Sequence, residues 1–255
     1  MKQVIKNATT WLARRWGYDI VYHRSRIDKT RADFEDEHIK ILRAVDPFTK
    51  TTPERVFALI EAVKYIVKND IPGAMVECGV WKGGSMMAVA HTLKNLRRSD
   101  RDLYLFDTYE GMPKPTAEDV DFTGADAAEQ WEQNRINDKS SHWMYVPVEE
   151  VKQAMYSTGY DQERMHFVKG MVEDTVPAQA PPTIALLRLD TDWYESTRHE
   201  LVHLFPRLSV GGILIIDDYG HFRGAKKAVD EYIGQNNLRL YLGRIDFSGR
   251  VAVKQ

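Results

Sequence analysis

The spacing of apolar and polar residues along the chain predicts strands that alternate with helices. Thr52 and Pro53 are a typical N-cap and first helical residue, and apolar side chains then recur every three or four positions. Short apolar runs predict five strands, over residues 74–78, 103–106, 166–169, 183–189 and 213–216. Further helices are predicted over 83–96, 195–205 and 222–233, and a closing hairpin over 238–245 and 250–254. This alternation predicts a doubly wound, mostly parallel α/β sheet with an antiparallel C-terminal hairpin at its edge.

Two regions interrupt the alternation. Residues 1–48 precede it as a predicted N-terminal extension or cap, and residues 49–255 form the predicted α/β domain. Within that domain, residues 112–160 contain prolines, many acids and aromatic side chains without sustained periodicity. This composition predicts an insertion over the strand ends, which is either a lid that selects the substrate or a plain surface excursion.

The first 26 residues are basic and carry spaced apolar side chains, with Asp19 as their only acid. Such an amphipathic segment can lie on a membrane surface. We favour packing onto its own domain or onto a sister subunit, because the apolar positions are few enough to be buried by protein alone. No run predicts a transmembrane segment or a signal peptide, so we expect a cytoplasmic protein, and a homo-oligomer.

The composition of the chain limits the ligands it can bind and the compartment in which we expect it. A formal net charge of −2 over 255 residues argues against a broad nucleic-acid-binding surface. The single cysteine, Cys78, has no partner for an internal disulfide, which favours a reducing compartment.

Residues 76–85 read Val-Glu-Cys-Gly-Val-Trp-Lys-Gly-Gly-Ser and lead from a strand through glycines into a helix. Their spacing matches neither the dinucleotide fingerprint nor the phosphate-binding P-loop. An acid at the strand end, Glu77, repels phosphate and suits a cationic ligand such as S-adenosylmethionine (SAM), which carries a sulfonium and an ammonium group. The alternative interpretation is a glycine-rich turn that only closes a βα unit.

Acidic residues follow the carboxyl ends of most predicted strands. Because these ends share one edge of a parallel sheet, we expect the acids to converge there. Carboxylates without basic partners repel one another, and a divalent cation relieves that repulsion. Asp190, Asp217 and Asp218 are therefore the predicted Mg²⁺ ligands. The alternative is that these aspartates cap the adjacent loops and helices.

Four motifs together resemble the macrocin O-methyltransferase family. They are residues 76–85, 105–113, 188–197 and 216–220, and the resemblance extends from about residue 49 to residue 232. It implies a Rossmann-like class I methyltransferase fold. It also implies a SAM-dependent and Mg²⁺-dependent enzyme that methylates sugar hydroxyls, since this family acts on macrolide and aminocoumarin antibiotics.

The resemblance also implies roles for individual residues. Glu77 and Gly79 match the first SAM motif, Ser85 the position that binds the methionine carboxylate, and Asp107 the acid that holds the ribose. Trp81 is a candidate for stacking on adenine or sugar, with core packing as the alternative. The segment that borders the adenine matches Gly170, Met171, Val172 and Glu173.

Asp190, Asp217 and Asp218 match the metal ligands, and Asp190 is also the expected catalytic base, with His221 as a weaker candidate that we expect to be a surface residue. The function we expect is methyl transfer to a hydroxyl of a sugar or a sugar-containing metabolite. The alternatives are a non-catalytic sugar- or nucleotide-binding protein and an NAD-dependent oxidoreductase. The oxidoreductase is disfavoured because its glycine spacing is missing.

Overall fold

Five parallel strands form the centre of a seven-stranded sheet in the computed structural model, which describes residues 33–255. The strands follow the order β3-β2-β1-β4-β5-β7-β6, and the last two run antiparallel at one edge. Their bounds are β1 Ala74–Cys78, β2 Leu103–Asp107, β3 Met165–Lys169, β4 Ile184–Leu189, β5 Leu208–Ile216, β6 Gly243–Arg244 and β7 Arg250–Val253. The predicted doubly wound sheet with an antiparallel edge is confirmed.

Helices connect the strands and cover both faces of the sheet. Within the described residues they are α1 Asp36–Val45, α2 Pro53–Lys68, α3 Gly84–Asn95, α4 Ala127–Gln133, α5 Val148–Ser157, α6 Val172–Thr175, α7 Tyr194–Leu204 and α8 Arg223–Gln235. Helix α2 begins as predicted, because the hydroxyl of Thr52 accepts a hydrogen bond from the Arg55 amide at 3.2 Å.

Alternate residues of β1 belong to two separate cores. Met75 packs with the buried side chains of α1, α2 and α3 on one face. Val76 and Cys78 pack on the other face, with the inward residues of α7 and α8. Strand side chains alternate between faces, so a strand covered on both sides is apolar throughout. The sheet is thereby fixed from both sides, and its carboxyl edge becomes a rigid platform.

The structure differs from the predicted boundaries at the C-terminal edge. Strand β5 begins at Leu208, five residues before the predicted start, and continues through a pair of glycines. Its pairing with β4 shifts register there, and Gly211 has a positive φ of 80°. The two glycines therefore lie inside β5 and bend it. They do not form a turn that precedes the strand, as was predicted. Strand β6 is only two residues long, much shorter than the predicted arm.

The segment predicted as an insertion, residues 112–160, contains two helices of different roles. Helix α5 packs against α3 and β3, so it is the helix that connects β2 to β3. The preceding part surrounds the fully buried Trp131, whose indole donates a hydrogen bond to the Met112 carbonyl at 2.9 Å. The lid function remains a prediction. The basic segment 1–26 and most of the predicted extension lie outside the described residues.

Among the helices of residues 33–255, none combines the length and the apolar character that crossing a bilayer requires.

Candidate active site

A cavity of about 380 Å³ opens at the carboxyl edge of the sheet, where β1, β2, β4 and β5 end. Its floor contains the residues that directly follow those strands, and its walls come from the segment before α2 and from the 112–144 region. The predicted site residues that line it are Gly79, Trp81, Ser85, Asp107, Asp190, Asp217 and Asp218. The residues predicted from the sequence therefore converge at this edge of the sheet.

A smaller cavity of about 60 Å³ adjoins the first and shares Gly79, Asp107 and Asp190 with it. The remainder of its lining includes the four residues that were predicted to border an adenine, Gly170, Met171, Val172 and Glu173. The two cavities together form one elongated site. One end is acidic, and the other is bounded by the loop after β3.

The loop after β1 is shaped by close backbone contacts. Gly79 has a φ of 82°, and a Cβ at this position would overlap the backbone carbonyl oxygen of Asp190. Only glycine fits where the ends of β1 and β4 approach so closely. Trp81 lies between two lysines, with the ammonium groups of Lys50 and Lys82 at 5.0 and 4.9 Å from the ring centroid. Trp81 and Lys50 both line the larger cavity, so the indole is paired with a cation there.

Asp107 ties this loop to the end of β2. Its carboxylate accepts backbone hydrogen bonds from Val80 at 2.8 Å, Trp81 at 3.1 Å and Tyr109 at 2.7 Å. Burial raises the pKa of the Asp107 carboxyl, and these hydrogen bonds oppose that rise. Asp107 thus fixes the loop as well as lining both cavities.

Arg188 is the central cation of the site, and the sequence argument missed it. Its buried guanidinium contacts the carboxylates of Glu77 and Asp217, donates to Asp190 at 2.6 Å and donates to the Thr51 hydroxyl at 3.0 Å. The premise that the acids converge without basic partners was therefore wrong. An arginine inside the apolar run of β4, two residues before Asp190, was the available signal.

Glu77 lies beneath the site and lines neither of the two cavities described above. It is 1% exposed, one oxygen contacts Arg188, and the other has no hydrogen-bond partner among the described residues. Burial raises the pKa of Glu77 to about 7, against the opposing effect of Arg188. Its observed contacts are structural, and a direct contact with a cofactor stays a prediction.

Asp217 faces arginines on both sides. One of its oxygens contacts Arg188 and the other contacts Arg55, a residue of α2 that also lines the cavity. The Arg55 Nε atom donates to Asp246 at 3.0 Å, which joins α2 to the turn before β7. Arg55 was not predicted, because its acidic partners are 162 and 191 residues away in the sequence.

Three other carboxylates surround a common point. Asp190, Asp192 and Asp218 each offer an oxygen, and these oxygens lie within 4.8 Å of one another. The Oδ2 atom of Asp218 is buried without a hydrogen-bond partner among the described residues. Burial, followed by repulsion from Asp190, raises the pKa of Asp192 to about 7. A hard divalent cation fits this set of oxygen ligands. Two of the three predicted ligands are in the set, whereas Asp217 is not.

Three further residues lie close by. Ser85 is buried in the first turn of α3 and lines the larger cavity. Trp193 is buried, and its indole donates to the Pro113 carbonyl at 3.0 Å, so its role is core packing. His221 lines the larger cavity, and burial lowers its pKa. His221 is half-buried in the turn before α8, and a role for it as a base stays a prediction.

The model of the macrocin O-methyltransferase (TylF) family matches residues 14–254. The demethyldecarbamoylnovobiocin O-methyltransferase of Streptomyces niveus is 33% identical over 196 residues, 77% of this chain and 71% of the relative. The mycinamicin III 3''-O-methyltransferase of Micromonospora griseorubida is 30% identical over 196 residues, 77% and 74% of the two chains.

Solved structures agree with these sequence matches. The O-methyltransferase NovP superposes with a TM-score of 0.71 at 30% identity, over 82% of each chain. The calicheamicin methyltransferase CalS11 superposes with a TM-score of 0.61 over 91% of this chain and 94% of that one, and at 20% identity it shows a shared fold only.

Proposed function

The chain belongs to the macrocin O-methyltransferase family, and on that premise we propose that it methylates a hydroxyl of a sugar or a sugar-containing metabolite, using SAM and a divalent cation. The observation that carries the proposal is the set of three convergent carboxylates at the floor of a cavity that adjoins a second, separately lined cavity. Relatives that are named for sugar methylation support the acceptor class.

We assign the smaller cavity to the nucleoside part of SAM. Asp107 projects into both cavities, next to the glycine of the loop after β1, so it is placed to accept hydrogen bonds from ribose hydroxyls. Residues 170–173 would then border the base, and Ser85 would lie near the amino-acid end. With the nucleoside held there, the sulfonium end of SAM would lie on the side of the larger cavity, which the acids line.

Methyl transfer joins the acceptor oxygen to the methyl carbon while the carbon–sulfur bond breaks, giving a methyl ether, S-adenosylhomocysteine (SAH) and a proton. A divalent cation, when bound, supplies a positive charge that makes a coordinated hydroxyl more acidic. The protein must align the hydroxyl with the carbon–sulfur bond, and it must receive the proton.

Asp190 and Asp218 are our proposed cation ligands. Asp217, the third ligand implied by the family resemblance, contacts Arg188 and Arg55 through its two oxygens and lies outside the set of convergent carboxylates. We assign proton acceptance to Asp192 and not to Asp190, because Arg188 already engages Asp190, whereas Asp192 lines the larger cavity and accepts no hydrogen bond from an arginine of residues 33–255. These carboxylates thus divide into a pair that holds the cation and one that receives the proton.

Calorimetric titration of the chelator-treated protein with SAH and then with Mg²⁺ tests this assignment. Asp218→Asn should abolish the Mg²⁺ signal and retain SAH binding, while Asp192→Asn should keep Mg²⁺ binding and lower kcat by about 10²–10⁴ once an acceptor is found. Asp70→Asn, whose side chain is 82% exposed, is the control. Binding of NAD in place of SAH, or unchanged Mg²⁺ binding in Asp218→Asn, would contradict the proposal.

A further inference from the structure

Two large apolar side chains stand exposed beside the acidic end of the site. Phe122 is 58% exposed and Phe247 is 52% exposed, and Phe247 also lines the larger cavity. An exposed phenylalanine forgoes much of the stabilisation that its burial would contribute. A group of such residues at the edge of a cavity is typical of a binding surface.

Both phenylalanines are carried by hydrogen-bonded turns. Asp121 accepts a hydrogen bond from the amide two residues later at 2.8 Å, and Asp246 does the same at 2.9 Å. These contacts fix the backbone on both sides of each ring. The two rings are therefore presented in a defined place, which favours recognition of a ligand of fixed shape.

His221 lies between them. Its ring centroid is 5.4 Å from that of Phe122 and 6.3 Å from that of Phe247, and its side chain lines the cavity together with Asp192 and Asp218. Within residues 33–255, neither imidazole nitrogen has a hydrogen-bond partner. One nitrogen of a neutral imidazole donates and the other accepts, so this side chain offers both functions to a ligand.

We propose that Phe122, His221 and Phe247 form the acceptor subsite and that its occupant is a pyranose ring. The C–H bonds on one face of a pyranose pack against aromatic rings, while hydroxyls at its edge form hydrogen bonds. The imidazole binds the hydroxyl adjacent to the one that is methylated, so the acceptor is a vicinal diol. This proposal rests on the proposed function, because it places the reacting hydroxyl at Asp192 and Asp218.

Saturation-transfer NMR tests the proposal with the protein loaded with SAH and Mg²⁺. The probes are the methyl hexopyranosides of gluco, galacto and manno configuration, which contain no aromatic group of their own. Irradiation of the protein's aromatic protons should transfer saturation to the ring C–H protons of at least one probe. Phe122→Ala and Phe247→Ala should each weaken its binding about tenfold.

Three further variants separate recognition from folding. Phe247→Trp keeps an aromatic face and should retain binding, and Tyr241→Ala removes a side chain that is 84% exposed and lines neither cavity, so it should have no effect. His221→Phe keeps the aromatic contacts, so it should weaken binding of the diol about fivefold to tenfold and leave the corresponding deoxy sugar unaffected.

Several results would overturn the subsite. Unchanged glycoside binding in both alanine variants would do so, as would saturation confined to the aglycone methyl group, or no saturation of any probe while SAH and Mg²⁺ still bind. A change of sedimentation coefficient in the alanine variants would instead assign these rings to contact between two copies of the chain. Failure of SAH itself to bind would refute the proposed function. The calorimetric titration with SAH measures this separately from the binding of the sugar.

Discussion

Arg188 carries a positive charge into the interior of β4, where it contacts three carboxylates. A buried ion is costly unless it is paired, and removal of one partner leaves the others desolvated and unbalanced. The side chain of Arg188 is 3% exposed and those of Glu77 and Asp217 are 1% and 5% exposed. The stability of the sheet edge therefore depends on this arginine.

Arg188→Met should lower the free energy of unfolding of the metal-free protein by about 3–5 kcal/mol, because Glu77 and Asp217 lose their shared cation. Urea denaturation measures the change. Arg98→Met is the matched control: Arg98 pairs with Asp70 at 3.2 Å on the surface, where water screens the charges, so its loss should leave the stability nearly unchanged. Equal effects of the two substitutions would show that the buried network contributes nothing specific.

Arg55 competes for the acids that would hold a cation. It contacts Asp217, and its charge also acts on Asp190 and Asp218. Arg55→Met should therefore tighten Mg²⁺ binding about tenfold and lower the melting temperature of the metal-free protein. Calorimetry and thermal unfolding with chelator measure the two effects, with Arg98→Met as the control. Unchanged or weaker Mg²⁺ affinity would mean that Arg55 does not oppose the cation.

At the scale of elements, apolar runs predicted the first four strands to within one residue at each end. Helices α3, α7 and α8 agree to within two residues. Buried strands and amphipathic helices differ in local periodicity, which is why the positions of these strands and helices were predicted correctly. The lengths of β5 and β6 were predicted wrongly, because the ends of these strands depend on register with neighbouring strands and not on local pattern.

The junction between β1 and α3 shows how one element constrains another. Gly79→Ala should destabilise the protein by about 1–3 kcal/mol without any ligand, because the new Cβ would overlap the Asp190 carbonyl and the φ of 82° is strained for alanine. The control is Gly234→Ala in α8, where nothing lies within 4 Å of the added Cβ. There alanine should stabilise by up to about 1 kcal/mol. Thermal unfolding compares them, and equal melting temperatures would refute the packing explanation.

At the scale of the whole molecule, four strand ends, the segment before α2 and the turn before β7 meet at one acidic cavity. Ligands that bind only the folded state raise its stability by mass action. The clustering of carboxylates at this edge therefore makes the stability of the entire domain sensitive to a bound cation.

Saturating Mg²⁺ should raise the free energy of unfolding by about 2.7 kcal/mol at 100 times its dissociation constant, and SAH should add a comparable increase. Asp218→Asn should remove the Mg²⁺ increment alone. Differential scanning calorimetry with and without chelator measures both increments. A wild-type melting temperature that does not change when Mg²⁺ is added would refute a cation site at this edge.

The sequence by itself determined the alternation of strands and helices, the edge of the sheet at which the acids converge, and the family to which the chain belongs. These follow from local periodicity and from contiguous motifs, which need no knowledge of distant contacts. Only the tertiary structure decided the charge partners of the acids. Arg55 meets Asp217 across 162 residues, and Arg188 meets Glu77 across 111. Ion pairs of this kind arise from strand order and helix packing. The local sequence marks Arg188 as a charge inside an apolar strand, but it does not name its distant partners.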